Sequence, residues 1–520
     1  RYENMNNMRV STNSGIFTEN WIDLNASRYT PSSTLQRMEL LKTGYMGTLS
    51  LGWDNYLFLE LTGRQERSST LKDQSFFYPS ANLSFLFTQA FHMPSWWNYG
   101  KLRLSYGIVG NAPETYTANI VYEQGSDNGF TWNTIPSSWG NADIRPEKKY
   151  EYEIGLESKF LNNRLGIDIS YYNNRVKDQI LSTPQPSTSG VKNVLMNVGE
   201  VANRGWDISI SATPILTRDF RWDLTANYGV YKNKVVKLAD GVPYLEILNS
   251  GGSGIKIQAV EGQPMGDIYA QVPQVNENGE YLVSDKGLYL NQTELQKVGN
   301  INPAGVGGLF NSFSYKNVFL DFSIDFRIGG DVINEMNQYA TAVGLTPESL
   351  KYRDTEHGGL SYYYPGDNNS SGIPVQVDPS TGAGPNGEII YHDGIILPGV
   401  VASTGERNTR IIPAGYYYNT TYNWGTEAEQ LTYRHSVFDN SYVKLRELTI
   451  GYQFPEKMIS KLGLGRLSVS VFGRNLFYFY KALKNYDAES SVGTSWANQA
   501  TVGSSTTATR SFGVSLRASF

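Results

Sequence analysis

Residues 149–174 read KYEYEIGLESKFLNNRLGIDISYYNN. Even positions of the first half carry Tyr150, Tyr152, Ile154 and Leu156; odd positions carry Glu151, Glu153, Gly155 and Glu157. After a short LNNR turn the alternation resumes, with Leu165, Ile167, Ile169 and Tyr171 against Gly166, Asp168, Ser170 and Tyr172. A period of two sends successive side chains to opposite faces of a strand, so each segment has one apolar and one polar face. So short a turn joins the two as an antiparallel hairpin.

The same pattern extends along the chain in both directions. Trp206, Ile208 and Ile210 oppose Asp207, Ser209 and Ser211, and Trp222, Leu224, Ala226, Tyr228 and Val230 oppose Asp223, Thr225 and Asn227. Leu320, Phe322, Ile324 and Phe326 oppose Asp321, Ser323, Asp325 and Arg327. Leu57, Leu59 and Leu61 share a face, as do Leu102, Leu104, Tyr106 and Ile108, and Leu467, Val469 and Val471. The last residue, Phe520, is in phase with Phe512, Val514, Leu516 and Ala518 and reads as a barrel-assembly signal. At 442–452 the apolar set Val443, Leu445 changes phase to Leu448, Ile450, Tyr452, which predicts a β-bulge or the strand's exit from the membrane.

Such strands fit a soluble sandwich or an outer-membrane barrel, and the spacing of the connections decides between them. Tight turns at Asp54-Asn55, Leu161–Asn163, Leu216–Asp219 and Lys316-Asn317 take turns with long loops at about 111–148, 177–200, 234–304, 330–439 and 477–507. Short turns on one side and long loops on the other are the outer-membrane pattern. Trp53, Tyr56, Tyr171, Tyr172, Trp206, Trp222 and Tyr452 stand near strand ends, where interfacial girdles lie. The expected fold is all-β, an antiparallel transmembrane β-barrel of roughly thirteen visible strands. A complete bacterial single-chain barrel has an even strand count and both ends inside, and an open sheet edge cannot face lipid. Residues 1–40 are therefore expected as an extracellular loop region, and 41–520 as the C-terminal portion of a longer barrel.

Composition agrees. Of 520 residues, 13% are aromatic and only 18% charged, below the usual quarter. With 44 Lys+Arg against 49 Asp+Glu the net charge is −5, so there is no basic footprint for nucleic acid. The absence of cysteine removes disulfides, thiolate metal sites and Cys nucleophiles. Residues 1–20 hold no basic stretch followed by an apolar run. No window approaches the roughly 18 apolar residues of a spanning helix; 394–402 is short and broken by Pro398.

Several stretches resemble the SusC/RagA family of TonB-dependent outer-membrane transporters. They are Asn141–Asn174 (NADIRPEKKYEYEIGLESKFLNNRLGIDISYYNN), Asn197–Val235 (NVGEVANRGWDISISATPILTRDFRWDLTANYGVYKNKV) and Gly262–Tyr269 (GQPMGDIY). Asn302–Gly330 (NPAGVGGLFNSFSYKNVFLDFSIDFRIGG), Tyr442–Tyr452 (YVKLRELTIGY) and Gly473–Phe477 (GRNLF) follow in order. Arg64–Ser69 (RQERSS) departs from the family's R-x-D-G-S-S. Val275–Gly279 (VNENG) stands where many members carry D-x-D-G, so calcium is not expected there. The resemblance implies the C-terminal part of a 22-stranded barrel whose plug domain and TonB-contacting segment are absent from this sequence. It also implies import of oligosaccharides or peptides with a SusD-like surface lipoprotein as lid, energy from the TonB complex, and pairing of two transporter–lid units in outer-membrane lipid.

The polar faces nominate Glu151, Glu153, Glu157, Asp168, Asp207, Asp223, Asp321, Asp325, Arg103 and Arg327 as lumen- or plug-facing, against the plainer reading of a solvated wall. Carboxylates two apart on a strand in a wet lumen do not flank a glycosidic bond, so no enzyme is expected. Loop aromatics Trp132, Trp139, Tyr362, Tyr363, Tyr364, Tyr416, Tyr417, Tyr418, Tyr422, Trp424 and Trp496 suit sugar stacking, and equally a protein interface with the lid. Asp367, Asn369, Ser371 and Asp378 follow much of the spacing of an EF-hand calcium loop. Against calcium, Asp378 replaces the bidentate Glu, Pro374 the apolar residue, and no helices flank the loop; its alternative is a turn-rich loop. No other cofactor motif appears: the four histidines are scattered. Two rival readings remain, a soluble or surface β-rich carbohydrate-binding adhesin and a SusC-like scaffold subunit of a non-nutrient assembly.

Overall fold

The computed structural model describes residues 1–72, 75–127, 130–250, 254–366, 372–423, 432–460, 463–490, 495–503 and 508–519. The chain divides into two compact units, Arg1–Asn163 with Asp168–Trp206 and Asn233–Pro243, and Arg164–Ile167 with Asp207–Lys232 and Tyr244–Phe520.

In the first unit the long strands are β1 (Tyr2–Ile16), β2 (Ser27–Trp53), β3 (Leu57–Ser68), β4 (Ser75–Phe85), β5 (Trp97–Asn111), β6 (Glu147–Phe160), and most of β7 (Leu165–Pro184) and β8 (Asn193–Leu216). They lie side by side in chain order. The second unit holds most of β9 (Phe220–Lys237), then β10 (Gly305–Tyr315), β11 (Val318–Ile328), β12 (Tyr442–Gln453), β13 (Arg466–Lys481) and β14 (Ser511–Ser519), again in chain order. Among the described residues, fourteen long strands thus stand in this order where roughly thirteen were expected.

The tight turns are where the sequence places them. Asp54 and Asn55 have φ of 48° and 57°, the mirror-image turn whose twist matches the flanking strands. In the β6–β7 turn Leu161, Asn162 and Asn163 all have positive φ; Asn tolerates that conformation, whereas leucine is strained there.

Register turns the alternation into faces. Between β5 and β6, Leu102 pairs Leu156, Leu104 pairs Ile154, Tyr106 pairs Tyr152 and Ile108 pairs Tyr150. Arg103, Ser105 and Gly107 pair Gly155, Glu153 and Glu151 on the opposite face. Leu104, Tyr106, Tyr152, Ile154 and Leu156 are exposed, as an outward apolar face is in the absence of lipid. In the second unit Trp222 pairs Phe313, and Phe313 pairs Leu320, with the rings of Trp222 and Phe313 stacked at 5.5 Å.

The phase change in 442–452 is a bulge. Ser323 pairs Glu447 and Ile324 pairs Leu445, so Arg446 has no partner on β11. That one extra residue keeps Val443 and Leu445 opposite Phe326 and Ile324, on the same face as Leu448 and Ile450 opposite Phe322 and Leu320. Were Arg446 instead paired in register, the even period of the strand would move one of the two sets to the polar side.

Three expected boundaries change. Residues 1–40 take the form of a long hairpin in which Tyr2 pairs Leu41 and Val10 pairs Ser33. Both of its faces mix polar and apolar residues, so alternation did not betray it. The loops expected at 177–200 and 477–507 are narrower, because β7 runs to Pro184, β8 starts at Asn193 and β13 runs to Lys481. Backbone pairing continues after the apolar pattern stops.

The long loops of the second unit fold into packed structure. Strands Tyr244–Ser250, Ile255–Val260, Asp267–Ala270 and Gln296–Asn300 form a four-stranded sheet. Ile255, Ile257, Ile268, Ile301, Ile333 and Val437 are buried in one core beside it. Helix α1 (Glu335–Ala342) is capped by Asn334, whose side chain accepts from the Asn337 N–H; helix α2 (Ala414–Tyr422) follows Pro413.

Candidate functional site

On the polar face of the first unit, Arg103 forms a fork with Asp168, Nη2 to Oδ1 at 2.6 Å and Nη1 to Oδ2 at 3.1 Å, and also donates to Ser170 Oγ at 3.2 Å. Glu157 sits 3.5 Å from the same guanidinium. The fork fits because Gly155 lies opposite Arg103: a Cβ there would stand 2.8 Å from Nη2 and 2.9 Å from Nε. Gly155→Val is expected to push Arg103 off Asp168 and lower stability by about 1–3 kcal/mol, read as a lower unfolding temperature in detergent. Glu151 pairs with Lys149 at 2.5 Å and accepts from Asn174 Nδ2 at 3.2 Å. Glu153 shares this face through its pairing with Ser105.

In the second unit Asp223 holds Arg221 at 2.6 Å and accepts from Thr213 Oγ1 at 2.7 Å, and Asp321 accepts from Ser312 Oγ at 2.6 Å. Asp207 lies beside Gly229. Arg327 instead donates to the carbonyl oxygens of Gly329 and Ile301 at the end of β11, where it anchors the loop rather than standing free on the wall.

The densest cluster was only half legible in the sequence. The bulged Arg446 donates to Asp325 Oδ2 at 2.5 Å, to both oxygens of Glu489 at 2.5 and 2.8 Å, and to Asn475 Oδ1 at 3.1 Å. Lys444, 1% exposed, donates to Glu489 Oε2 at 2.6 Å and lies 4.8 Å over the Tyr478 ring. Tyr478 donates to Asp487 at 2.9 Å. Burial alone would raise Glu489; the hydrogen bonds from Arg446 and Lys444 outweigh it and hold the carboxyl down at about 2. The phase break marked Arg446, but nothing local ties it to Glu489, which lies 43 residues away.

The loop aromatics divide. Tyr362 is 1% exposed, stacks on Tyr391 and donates to Asp393 at 3.1 Å; Tyr364 is buried beside it. Tyr418 is buried and donates to the Glu348 carbonyl at 2.7 Å. Tyr417 and Tyr422 pack around Tyr418, burial pushes both hydroxyls up, and His435 stacks on Tyr422 at 4.4 Å. Burial and Arg434 bring His435 down to about 4, so it is neutral at pH 7. These findings correct the expectation of contact roles for Tyr362, Tyr364 and Tyr418: as core residues with bonded hydroxyls, they cannot offer a ring to a ligand from solvent. Trp132 and Trp496 remain open, at 45% and 37%. Trp139 meets Tyr122 edge-on, Tyr363 is half-buried, and Tyr416 lines a cleft of about 360 Å³ with Lys286, Arg410, Pro374 and Pro413.

Asp367, Asn369 and Ser371, proposed for calcium, lie outside the described residues, as do Trp424 and Phe520. Asp378 accepts from the backbone N–H of Ser380 at 2.9 Å and its hydroxyl at 2.5 Å, as in a turn. Among the described residues no group of three or more His, Cys, Asp or Glu side chains is placed to hold a metal.

Residues 2–254 match the family model described as TonB dependent receptor-like, beta-barrel. That stretch is TonB-dependent receptor-like, and the chain is similar to receptors of the SusC/RagA type. It is 24% identical over 494 residues to TonB-dependent receptor P3 of Formosa agariphila, covering 86% of this chain and 42% of that one. It is 30% identical over 247 residues to TonB-dependent receptor SusC of Bacteroides thetaiotaomicron, covering 44% of this chain and 24% of SusC. Among solved structures, the RagAB peptide transporter matches with a TM-score of 0.66 at 18% identity, over 94% of this chain and 50% of that one, a likeness of fold. The chain thus spans less than half the length of these curated relatives. It is an outer-membrane protein.

Proposed function

We propose that this SusC/RagA-type barrel imports oligosaccharides or peptides across the outer membrane and is not an enzyme. Residues 41–520 supply wall and loops, and residues 1–40 lie outside the cell. A SusD-like surface lipoprotein lids the mouth, the TonB complex supplies energy through a plug region outside this sequence, and two transporter–lid units pair.

The observation that carries this reading is a wall whose strands put Leu104, Tyr106, Tyr152 and Ile154 on one face and the Arg103–Asp168 fork on the other. The first face suits acyl chains and the second a hydrated passage with polar partners for a plug. The likeness to the RagAB peptide transporter speaks for peptides; the open indole rings of Trp132 and Trp496 speak for sugars. Cells carrying Trp132→Ala and Trp496→Ala are expected to take up labelled oligosaccharide with roughly tenfold weaker apparent affinity. Unchanged sugar uptake beside impaired peptide uptake reverses the choice of cargo. Unimpaired growth of a deletion strain on every oligomer tested removes the import reading altogether.

A further inference from the structure

The outward face of β6, β7 and β8 changes chemistry at one depth. On β6 this face runs from Phe160, packed against Trp96 and Trp97, through Leu156, Ile154 and Tyr152 to Tyr150. Those ten residue steps span about 33 Å of strand, or roughly 25 Å of height at the usual tilt, the thickness of a barrel's apolar band. The next residue on that face is the exposed Lys148.

The neighbouring strands repeat the sequence. On β7, Tyr171 is followed on the same face by Arg175 and Lys177, and Lys177 Nζ lies 6.0 Å over the Tyr150 ring. On β8, Trp206, 4.9 Å from Tyr171 between ring centres, is flanked two residues away by Arg204. Asn203 bonds Asn174 at 2.9 Å on the polar face, which leaves Arg204 on the outward one. An aromatic and then a cation therefore recur on three consecutive strands, on the side of the long loops.

The acids nearby already have partners. Glu200 takes Arg175 at 3.2 Å, Asp178 takes Arg145 at 3.8 Å, and Asp240 takes Lys237 at 3.2 Å. Lys148, Lys177 and Arg204 are exposed and have no carboxylate partner among the described residues. A cleft of about 280 Å³ opens beside Lys177, lined also by Asn197, Gly199, Glu200 and Lys237. Snorkelling lets the long stems of Lys and Arg stand at this level, but it does not by itself call for one on each of three consecutive strands. A row that is cationic on each strand, directly beyond the aromatic girdle, matches an anionic headgroup layer.

We propose that Lys148, Lys177 and Arg204 form a binding site for the phosphates of an outer-leaflet lipid, a phosphorylated glycolipid seated with its acyl chains on the Tyr150–Ile154 face. The site rests on the lipid-facing assignment of this wall and does not depend on which cargo the barrel carries.

The test is lipid retention by the full-length protein in phosphatidylcholine nanodiscs doped with diphosphorylated lipid A, measured by native mass spectrometry. Each surface cation adds about fivefold to affinity, so Lys148→Gln/Lys177→Gln/Arg204→Gln is expected to weaken retention roughly a hundredfold. The charge-keeping Lys148→Arg/Lys177→Arg/Arg204→Lys variant retains the lipid, as does Arg9→Gln/Arg37→Gln, which removes charge from the β1–β2 hairpin. Heat-modifiable gel mobility identifies the folded protein in each case. Three outcomes overturn the proposal: equal retention by the triple Gln variant, equal retention of dephosphorylated lipid A, or displacement of the lipid by millimolar inorganic phosphate.

Discussion

Deletion of Arg446 is expected to leave the barrel able to assemble, with a heat-modifiable folded band in outer-membrane fractions, and to lower its stability by about 2–3 kcal/mol. The bulge at Arg446 is what lets Val443, Leu445, Leu448 and Ile450 share one face. Leu445 and Glu447 already pair with the consecutive residues Ile324 and Ser323, so taking out the residue between them leaves an unbroken alternation along β11 and turns no side chain over. The loss comes from the guanidinium that joins Asp325 to Glu489. Arg446→Ala keeps the bulge and loses the same ion pairs, so it is expected to match the deletion. Failure of the deletion variant to assemble beside a folded Arg446→Ala would show that the bulge itself, and not the bonds of its side chain, is required.

The second large effect is expected from Glu489→Ala. Lys444 is buried to 1% exposure, and Glu489 is its carboxylate partner at 2.6 Å. Removing one member of a buried pair leaves an uncompensated charge, a loss of about 3–5 kcal/mol when both partners are fully buried. Glu489 keeps some access to water, so a loss of about 2–3 kcal/mol is expected, measured as unfolding in detergent at pH 7. Adding Lys444→Met to Glu489→Ala is expected to recover most of that loss, because the stranded ammonium is gone. The pH dependence has a definite sign. Glu489 has a lowered carboxyl pKa, so its contribution is complete above the ordinary carboxylate value of about 4.3 and fades as pH falls through about 2. The wild-type protein is therefore expected to lose about 1–2 kcal/mol more than Glu489→Ala between pH 5 and pH 2, after allowance for screening by solvent. Parallel acid titrations of the two proteins would place the contribution elsewhere.

The alternation was legible because lipid imposes one rule on every outward position. Leu102, Leu104, Leu156 and Ile154 obey it, and so do Phe313, Leu320 and Phe322. The tight turns were legible for a different reason: Asp54, Asn55, Asn162 and Asn163 are the residue types that tolerate positive φ. Where water meets both faces that rule lapses, and the β1–β2 hairpin and the ends of β7, β8 and β13 were read as loop. The site was harder still. Composition shows many tyrosines but not which are buried, and Tyr362 and Tyr418 proved to be core. The bond from Arg446 to Glu489 joins positions that no local pattern relates.

The buried cluster of Ile255, Ile257, Ile268 and Ile333 gives this membrane protein a second solvent. Its cohesion comes from the expulsion of water, whereas the strand faces bearing Leu104 and Ile154 gain nothing from that force once they sit among acyl chains. A methyl group trimmed from Ile257 would be felt as in any enzyme interior; the same trim on Ile154 would merely exchange one hydrocarbon neighbour for another. Natural variation in this molecule should accordingly be strictest not in its membrane girdle but in this buried knot of isoleucines.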